Sequence, residues 1–188
     1  MPTNMLSKAA TVQPDSAQEK NDRKQPRPHQ DQAIKAISTA LLEHDRITVV
    51  MPCGSGKTLV QLWVAESLNP KTVLVLVPSL ALISQSLREW RHETSWENVA
   101  YLAVCHDQTV DPSEDDLAVD IADVGVEVTT QPLAIRKFLT SKATAAVKVI
   151  FCTYHSARAF SVGLPLDMWI DLAVFDEAHR TAGKAGKA

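Results

Sequence analysis

MPCGSGKT, residues 51–58, stands between the apolar run ITVV at 47–50 and a segment, 57–68, whose apolar residues recur at helical spacing. This strand, loop and helix order is that of a phosphate-binding loop. Gly54 and Gly56 lack a Cβ atom, so the backbone can fold tightly there and turn several N–H groups toward one anion. The stretch therefore predicts a phosphate-binding domain built from strands and helices.

Lys57 and Thr58 complete the loop with two side chains that a bound nucleotide needs. Lys57 reaches the β- and γ-phosphates, Thr58 offers its hydroxyl to Mg²⁺, and the helix N-terminus adds a partial positive charge. Gly54, Ser55 and Gly56 are the other residues of the loop expected to bind the nucleotide. The alternative is a glycine-rich turn that precedes Lys-Thr by chance, and the flanking strand and helix favour the nucleotide site.

A second motif, VFDEAH at residues 174–179, supplies the carboxylates that the loop lacks. The apolar residues 172–175 predict a buried strand, and Asp176 and Glu177 come where it ends. Because ligands of open parallel sheets lie at the carboxyl ends of the strands, these acids and Lys57 can face one nucleotide. We expect Asp176 to hold Mg²⁺ and Glu177 to orient or deprotonate the attacking water. Taken alone, the pair would be a solvated helix start with Asp176 as N-cap.

The alternation of strand and helix patterns predicts an α/β fold, a parallel sheet with helices on both faces. The predicted strands are 47–50, 72–77, 99–104, 147–152 and 172–175. The predicted helices include 29–43, 57–68, 80–91 and 133–140, where apolar residues recur at intervals of three and four.

The loop and the acidic motif together resemble the DEAD/DEAH-box helicases and translocases of superfamily two. Met51 stands where the general loop pattern has glycine, and an apolar residue at this position is typical of that superfamily. The resemblance implies a RecA-like P-loop domain that uses ATP and Mg²⁺. It implies a catalytic set of Lys57, Asp176, Glu177 and His179, with Thr58 and Asp176 at the metal.

The segment RPHQDQAI at 27–34 resembles the adenine-recognition segment that precedes the loop in many members of this superfamily. The amide of Gln30 can pair with the N6 and N7 edge of adenine, and Arg27 belongs to the same motif. His29 replaces the usual tyrosine of the segment. The segment also fits an ordinary helix start with Pro28 in the first turn, and the two interpretations are compatible.

Three strand ends resemble motifs that touch a nucleic-acid backbone in this superfamily. Ser79 precedes a predicted helix whose first amides suit a phosphate, and Thr130 and Thr153 follow strand-like residues. The acidic motif extends to DEAHRTAG at 176–183, which is similar to restriction-type and phage-defence helicases. That likeness implies double-stranded DNA as the partner.

The composition fits one folded domain. The chain has 188 residues, 45% hydrophobic content and a net charge of −3, which argues against a strongly basic nucleic-acid binder without excluding backbone contacts. We expect residues 1–25 to be a disordered tail. We expect residues 26–188 to form the first RecA-like domain, truncated after the acidic motif. Without a secretory or membrane-spanning pattern, we expect a cytoplasmic protein.

The leading hypothesis is the N-terminal motor domain of an ATP-dependent DNA helicase or translocase from a restriction or phage-defence system. Its second RecA-like domain is missing from the sequence, so we expect hydrolysis by this chain alone to stay near background. Two alternatives remain at this point: another P-loop kinase or NTPase, and a non-catalytic nucleotide- or DNA-binding fragment.

Overall fold

The fold is built on a four-stranded, fully parallel sheet. The computed structural model of the chain describes residues 23–106, 124–141 and 145–178. The strands are β1 (Thr72–Val77), β2 (Val99–Val104), β3 (Val147–Thr153) and β4 (Leu172–Phe175), in the order β2-β3-β1-β4. All four were predicted, and the α/β class with a parallel sheet is confirmed.

Helices cover both faces of the sheet, as the strand patterns predict. They are α1 (Pro28–Glu43), α2 (Lys57–Leu68), α3 (Leu80–Glu93), α4 (Pro132–Thr140) and α5 (Ala157–Gly163), with a short 3₁₀ turn at Tyr154–Ser156. Apolar residues of α2 and α3 pack with one face of the sheet, and those of α4 and α5 pack with the other. Helix α1 lies outside α2, where the hydroxyls of Ser38 and Ser67 are 2.8 Å apart.

The strand sequences explain why both faces are covered. β1 reads TVLVLV and is buried along its whole length, so its alternate side chains enter both apolar layers. Successive side chains of a strand point to opposite faces, and an uninterrupted apolar run is stable only when both faces are dry. The carboxyl ends of the four strands consequently lie along one edge, where the polar motifs of the sequence follow them.

Two predictions about the sheet are wrong. Residues 47–50 form no strand, and Val50 is 92% exposed. A strand needs a partner for its backbone N–H and C=O groups, and within the described residues this segment has none. The strand β4 forms as predicted but is not fully buried, because it pairs with β1 on one side only and Phe175 is 59% exposed.

The described chain begins with a contact to α3. The backbone N–H of Lys24 donates to Glu93 at 2.7 Å, and its ammonium lies 3.5 Å from the same carboxylate. Glu93 is 96% buried, so this cation and amide replace the water that the carboxylate loses. Residues 1–22 of the predicted tail lie outside the described residues, and the division at residue 25 stays a prediction.

The described helices include none that is both long and apolar enough to span a lipid bilayer.

Candidate nucleotide and nucleic-acid site

The phosphate loop adopts the backbone that its glycines predict. Gly54 and Gly56 have φ angles of +74° and +81°, in the left-handed region that side chains disfavour. A Cβ atom on Gly56 would lie 2.5 Å from Nε2 of Gln30, so a larger residue there would displace the amide that bonds to the carbonyl of Ser55. The loop then leads directly into α2, whose first residue is Lys57.

Gln30 links the first helix to this loop. Its Nε2 donates to the carbonyl of Ser55 at 2.9 Å, and its Oε1 accepts from the backbone N–H of Arg27 at 2.9 Å. Gln30 is 95% buried, while Arg27 is exposed. A glutamine amide has two N–H groups and two acceptor sites, so these contacts use half of its capacity. The structure thus gives Gln30 a role in shaping the loop, in addition to the predicted contact with adenine.

Lys57 and Glu177, which lie 120 residues apart in the chain, form an ion pair with an Nζ to Oε1 distance of 2.8 Å. The hydrogen bond to Glu177 raises the pKa of Lys57 against the opposing effect of burial, and the nearby Cys53 and Asp176 act in the same direction. The lysine is therefore fully charged at neutral pH. This ion pair places the loop next to the acidic motif, and a nucleotide between them stays a prediction.

The backbone and the side chain of Asp176 are both held by hydrogen bonds. Its N–H donates to the carbonyl of Leu76 at 2.8 Å, and its own carbonyl accepts from the hydroxyl of Tyr154 at 2.7 Å. Its Oδ1 accepts from Nε2 of Gln61 at 3.0 Å. The following residue, Glu177, has a φ of +50°, a conformation that costs energy for a residue with a Cβ atom.

The hydroxyl of Tyr154 stays protonated as the donor of this contact. Burial raises the pKa of Tyr154 to about 12, and the negative charges of Asp176 and Glu177 add to the shift. A neutral phenol beside two carboxylates donates a hydrogen bond without adding a third negative charge.

Helix α3 contacts the end of the loop through Trp90. Trp90 has no exposed surface, its ring meets that of Phe151 edge to face at 5.4 Å, and its Nε1 donates to the carbonyl of Thr58 at 3.1 Å. The first turn of α2 is thereby fixed to the core of the sheet.

The donor set suits Mg²⁺ bound together with phosphates. The described residues contain no group of three or more His, Cys, Asp or Glu side chains that could hold a metal. Mg²⁺ needs fewer protein ligands, because it is bound through one or two carboxylates, phosphate oxygens and waters. Asp176, with one oxygen fixed by Gln61, and Thr58 in the first turn of α2 fit that requirement.

The residues predicted to meet nucleic acid lie at the same edge of the sheet. Ser79 is the N-cap of α3, and its Oγ accepts from the N–H of Leu82 at 3.4 Å. Thr130 is half-buried and follows Val128, which bridges to Ala103 of β2.

Thr153 differs from the other two. It ends β3 with no exposed surface, and its hydroxyl donates to Oγ of Ser156 at 3.1 Å. Because its side chain is buried, Thr153 can affect nucleic-acid binding only by holding the turn Tyr154–Ser156 in place. His179, predicted as a catalytic residue, lies outside the described residues.

Three contacts of the site were not predicted from the sequence: those of Gln61, Tyr154 and Trp90. Gln61 could have been found, because it lies four residues after Lys57 and therefore on the same face of α2. The contacts of Tyr154 and Trp90 join distant parts of the chain, and no local pattern indicates them.

Comparisons with known proteins identify the family of the chain. Residues 23–188 match the family model described as "Type III restriction enzyme, res subunit". The fold is similar to the ATP-dependent Type ISP restriction-modification enzyme LlaBIII bound to DNA, with a TM-score of 0.71 and 29% identity over 89% of this chain and 11% of that chain. A search of curated proteins gave no match.

A second solved structure is a nuclease-deletion mutant of the Type ISP restriction-modification enzyme LlaGI in complex with a DNA substrate mimic. Its TM-score is 0.65, with 31% identity over 83% of this chain and 15% of that chain. The chain thus spans 11% and 15% of the lengths of these two enzymes. The alternatives of an unrelated P-loop NTPase or a non-catalytic fragment are not favoured. The chain belongs to the family of the type III restriction enzyme res subunit, and it is a RecA-like motor domain of the helicase type.

Proposed function

We propose that this domain binds Mg-ATP at the phosphate loop and couples its hydrolysis to movement on DNA. The observation that carries the proposal is the 2.8 Å ion pair between Lys57 and Glu177, which joins the two halves of an ATPase site. In this proposal Lys57 binds the β- and γ-phosphates, Thr58 and Asp176 hold Mg²⁺, and Glu177 activates water. Gly54, Ser55 and Gly56 supply the amides that surround the phosphates.

Adenine recognition is proposed for Arg27 and Gln30. Counting only contacts with described residues, the amide of Gln30 has one N–H and one acceptor site beyond those used by Ser55 and Arg27, and adenine requires one of each. The proposed place of the base is therefore beside the start of α1, next to the loop.

The nucleotide proposal is tested with Lys57→Ala. We expect this change to weaken Mg-ATP binding by about 100-fold, because hydrogen bonds that involve a charged group contribute about 1.5–3 kcal/mol. Calorimetry with Mg-ATP measures the loss. Lys35→Ala is the matched control, since Lys35 is an exposed lysine of α1 paired only with Asp31 among the described residues. Equal affinity of parent and Lys57→Ala would refute the site.

The proposed partner is the backbone of double-stranded DNA, with Ser79 and Thr130 as contacts and Thr153 acting through its turn. One of the two similar enzymes was solved bound to DNA and the other in complex with a DNA substrate mimic, and the contacts proposed here are to phosphates. Affinity should then fall as salt rises and show little sequence preference. We also propose that this domain works with a second RecA-like domain and that the protein is cytoplasmic.

The DNA proposal is tested at Ser79 with two variants that both keep the helix cap. Aspartate and asparagine cap a helix as well as serine does, but only aspartate repels a phosphate. We expect Ser79→Asp to weaken duplex binding about tenfold more than Ser79→Asn, measured by fluorescence anisotropy at low salt. Thr140→Ala, at the exposed end of α4, is the control. Equal affinities of the Asp and Asn variants would leave Ser79 as a helix cap only.

A further inference from the structure

Gln61 of α2 and Tyr154 at the end of β3 both form hydrogen bonds with the acidic turn, the residues Asp176 and Glu177. We propose that Gln61 and Tyr154 are positioning residues for Asp176 and Glu177, Gln61 acting on the carboxylate of Asp176 and Tyr154 on its backbone. This inference rests on the proposed function, because it takes Asp176 as the Mg²⁺ carboxylate.

Gln61 fixes the rotation of the carboxylate. The χ2 torsion of aspartate, which rotates the carboxylate, has a broad distribution of angles, so an aspartate side chain without a partner samples many orientations. The 3.0 Å bond from Nε2 of Gln61 to Oδ1 selects one of them. Because Gln61 lies one turn after Lys57 on the rigid helix α2, the orientation of Asp176 is set by the same element that carries the phosphate-binding lysine.

Tyr154 fixes the backbone of the acidic turn. Both backbone groups of Asp176 are hydrogen-bonded: its carbonyl accepts from the hydroxyl of Tyr154, and its N–H donates to the carbonyl of Leu76. The next residue is the one with the positive φ, and such a conformation persists only where its surroundings hold it in place. Tyr154 also begins the turn at the end of β3, so one hydrogen bond joins that strand end to the catalytic carboxylates.

The experiment compares binding of the non-hydrolysable analogue AMP-PNP with Mg²⁺ and with EDTA. We expect Gln61→Leu and Tyr154→Phe each to lower the Mg²⁺-dependent gain in affinity about tenfold, while affinity in EDTA stays at the parent value. Substitutions that merely damaged the fold would lower both affinities, and that result would overturn the inference.

Two control variants test whether the loss of any hydroxyl or amide group, away from Asp176, lowers the Mg²⁺-dependent gain in affinity. Tyr101→Phe removes a buried hydroxyl that has no hydrogen-bond partner among the described residues, and Gln85→Leu removes an exposed amide of α3. Both should behave as the parent. In an Asp176→Ala background, Gln61→Leu should have no further effect on the Mg²⁺-dependent gain, because its partner is gone. A full effect there would show that Gln61 acts elsewhere, and would overturn the inference.

Binding by the parent protein separates a failure of the metal site from a failure of the positioning roles. A parent that binds AMP-PNP no better with Mg²⁺ than with EDTA would refute the proposed metal site itself. A parent with a clear Mg²⁺-dependent gain, retained in full by Gln61→Leu and Tyr154→Phe, would refute only the positioning roles.

Discussion

Glu177→Gln is expected to lower ATP hydrolysis by about 10²- to 10⁴-fold while Mg-ATP binding stays at least as tight as in the parent. The amide keeps the shape of the side chain but cannot accept a proton from water. It also removes the negative charge that Lys57 faces at 2.8 Å, so the lysine no longer exchanges one anion for another when phosphates arrive. Because the pair is partly exposed, we expect the gain in affinity to be only severalfold at most.

Hydrolysis is measured in the longest natural form of the protein, with and without duplex DNA, and binding is measured by calorimetry. We expect hydrolysis to need cations from a second motor domain as well, because negative charge develops on the γ-phosphate in the transition state. Glu89→Gln, on α3 beside Lys24, is the control and should hydrolyse ATP at the parent rate. If Glu177→Gln does so too, Glu177 is not the residue that activates water.

Trp90→Ala is expected to lower the free energy of unfolding by about 3–5 kcal/mol. The side chain is fully buried, contacts Phe151 edge to face, and donates to the carbonyl of Thr58, so its removal leaves a cavity and removes one hydrogen bond to the first turn of α2. Because that carbonyl belongs to the first turn of α2, nucleotide affinity should fall as well.

Urea denaturation followed by circular dichroism measures the stability change. Trp169→Ala removes the same side chain from an 84% exposed position and should change the stability by less than about 0.5 kcal/mol. Similar losses in the two variants would contradict the account of Trp90 as the support of the loop.

The sequence predicted the central strands well because β1 and β3 are continuous apolar runs, and such runs are stable only inside a covered sheet. The same rule failed at residues 47–50. An apolar run reports that a segment avoids water, but it does not report which strand will pair with it, and the described residues offer no partner. The exposed face of β4 was missed for the same reason.

The charged residues of the candidate site were predicted from the sequence, but the side chains that form hydrogen bonds with them were not. Lys57 was expected to face Asp176 and Glu177 because ligands of open parallel sheets lie at the carboxyl ends of the strands, although the segment before the loop forms no strand in the structure. The contacts of Gln61 and Tyr154 depend on side-chain directions across 115 and 22 residues. The burial of Thr153 could not be predicted either, because a threonine at a strand end faces the core or the solvent with the same sequence.

The open edge of β4 has a consequence for the behaviour of the isolated domain in solution. Within the described part of the chain, no strand pairs with its outer edge, so the N–H and C=O groups there form a template on which an extended chain can add, and Phe175 of the same strand offers exposed apolar surface. Edge-to-edge growth from such a template rises with protein concentration. Concentrated samples of this domain should therefore form oligomers of mixed size, and a charged side chain placed on that edge would be the simplest way to keep it monomeric.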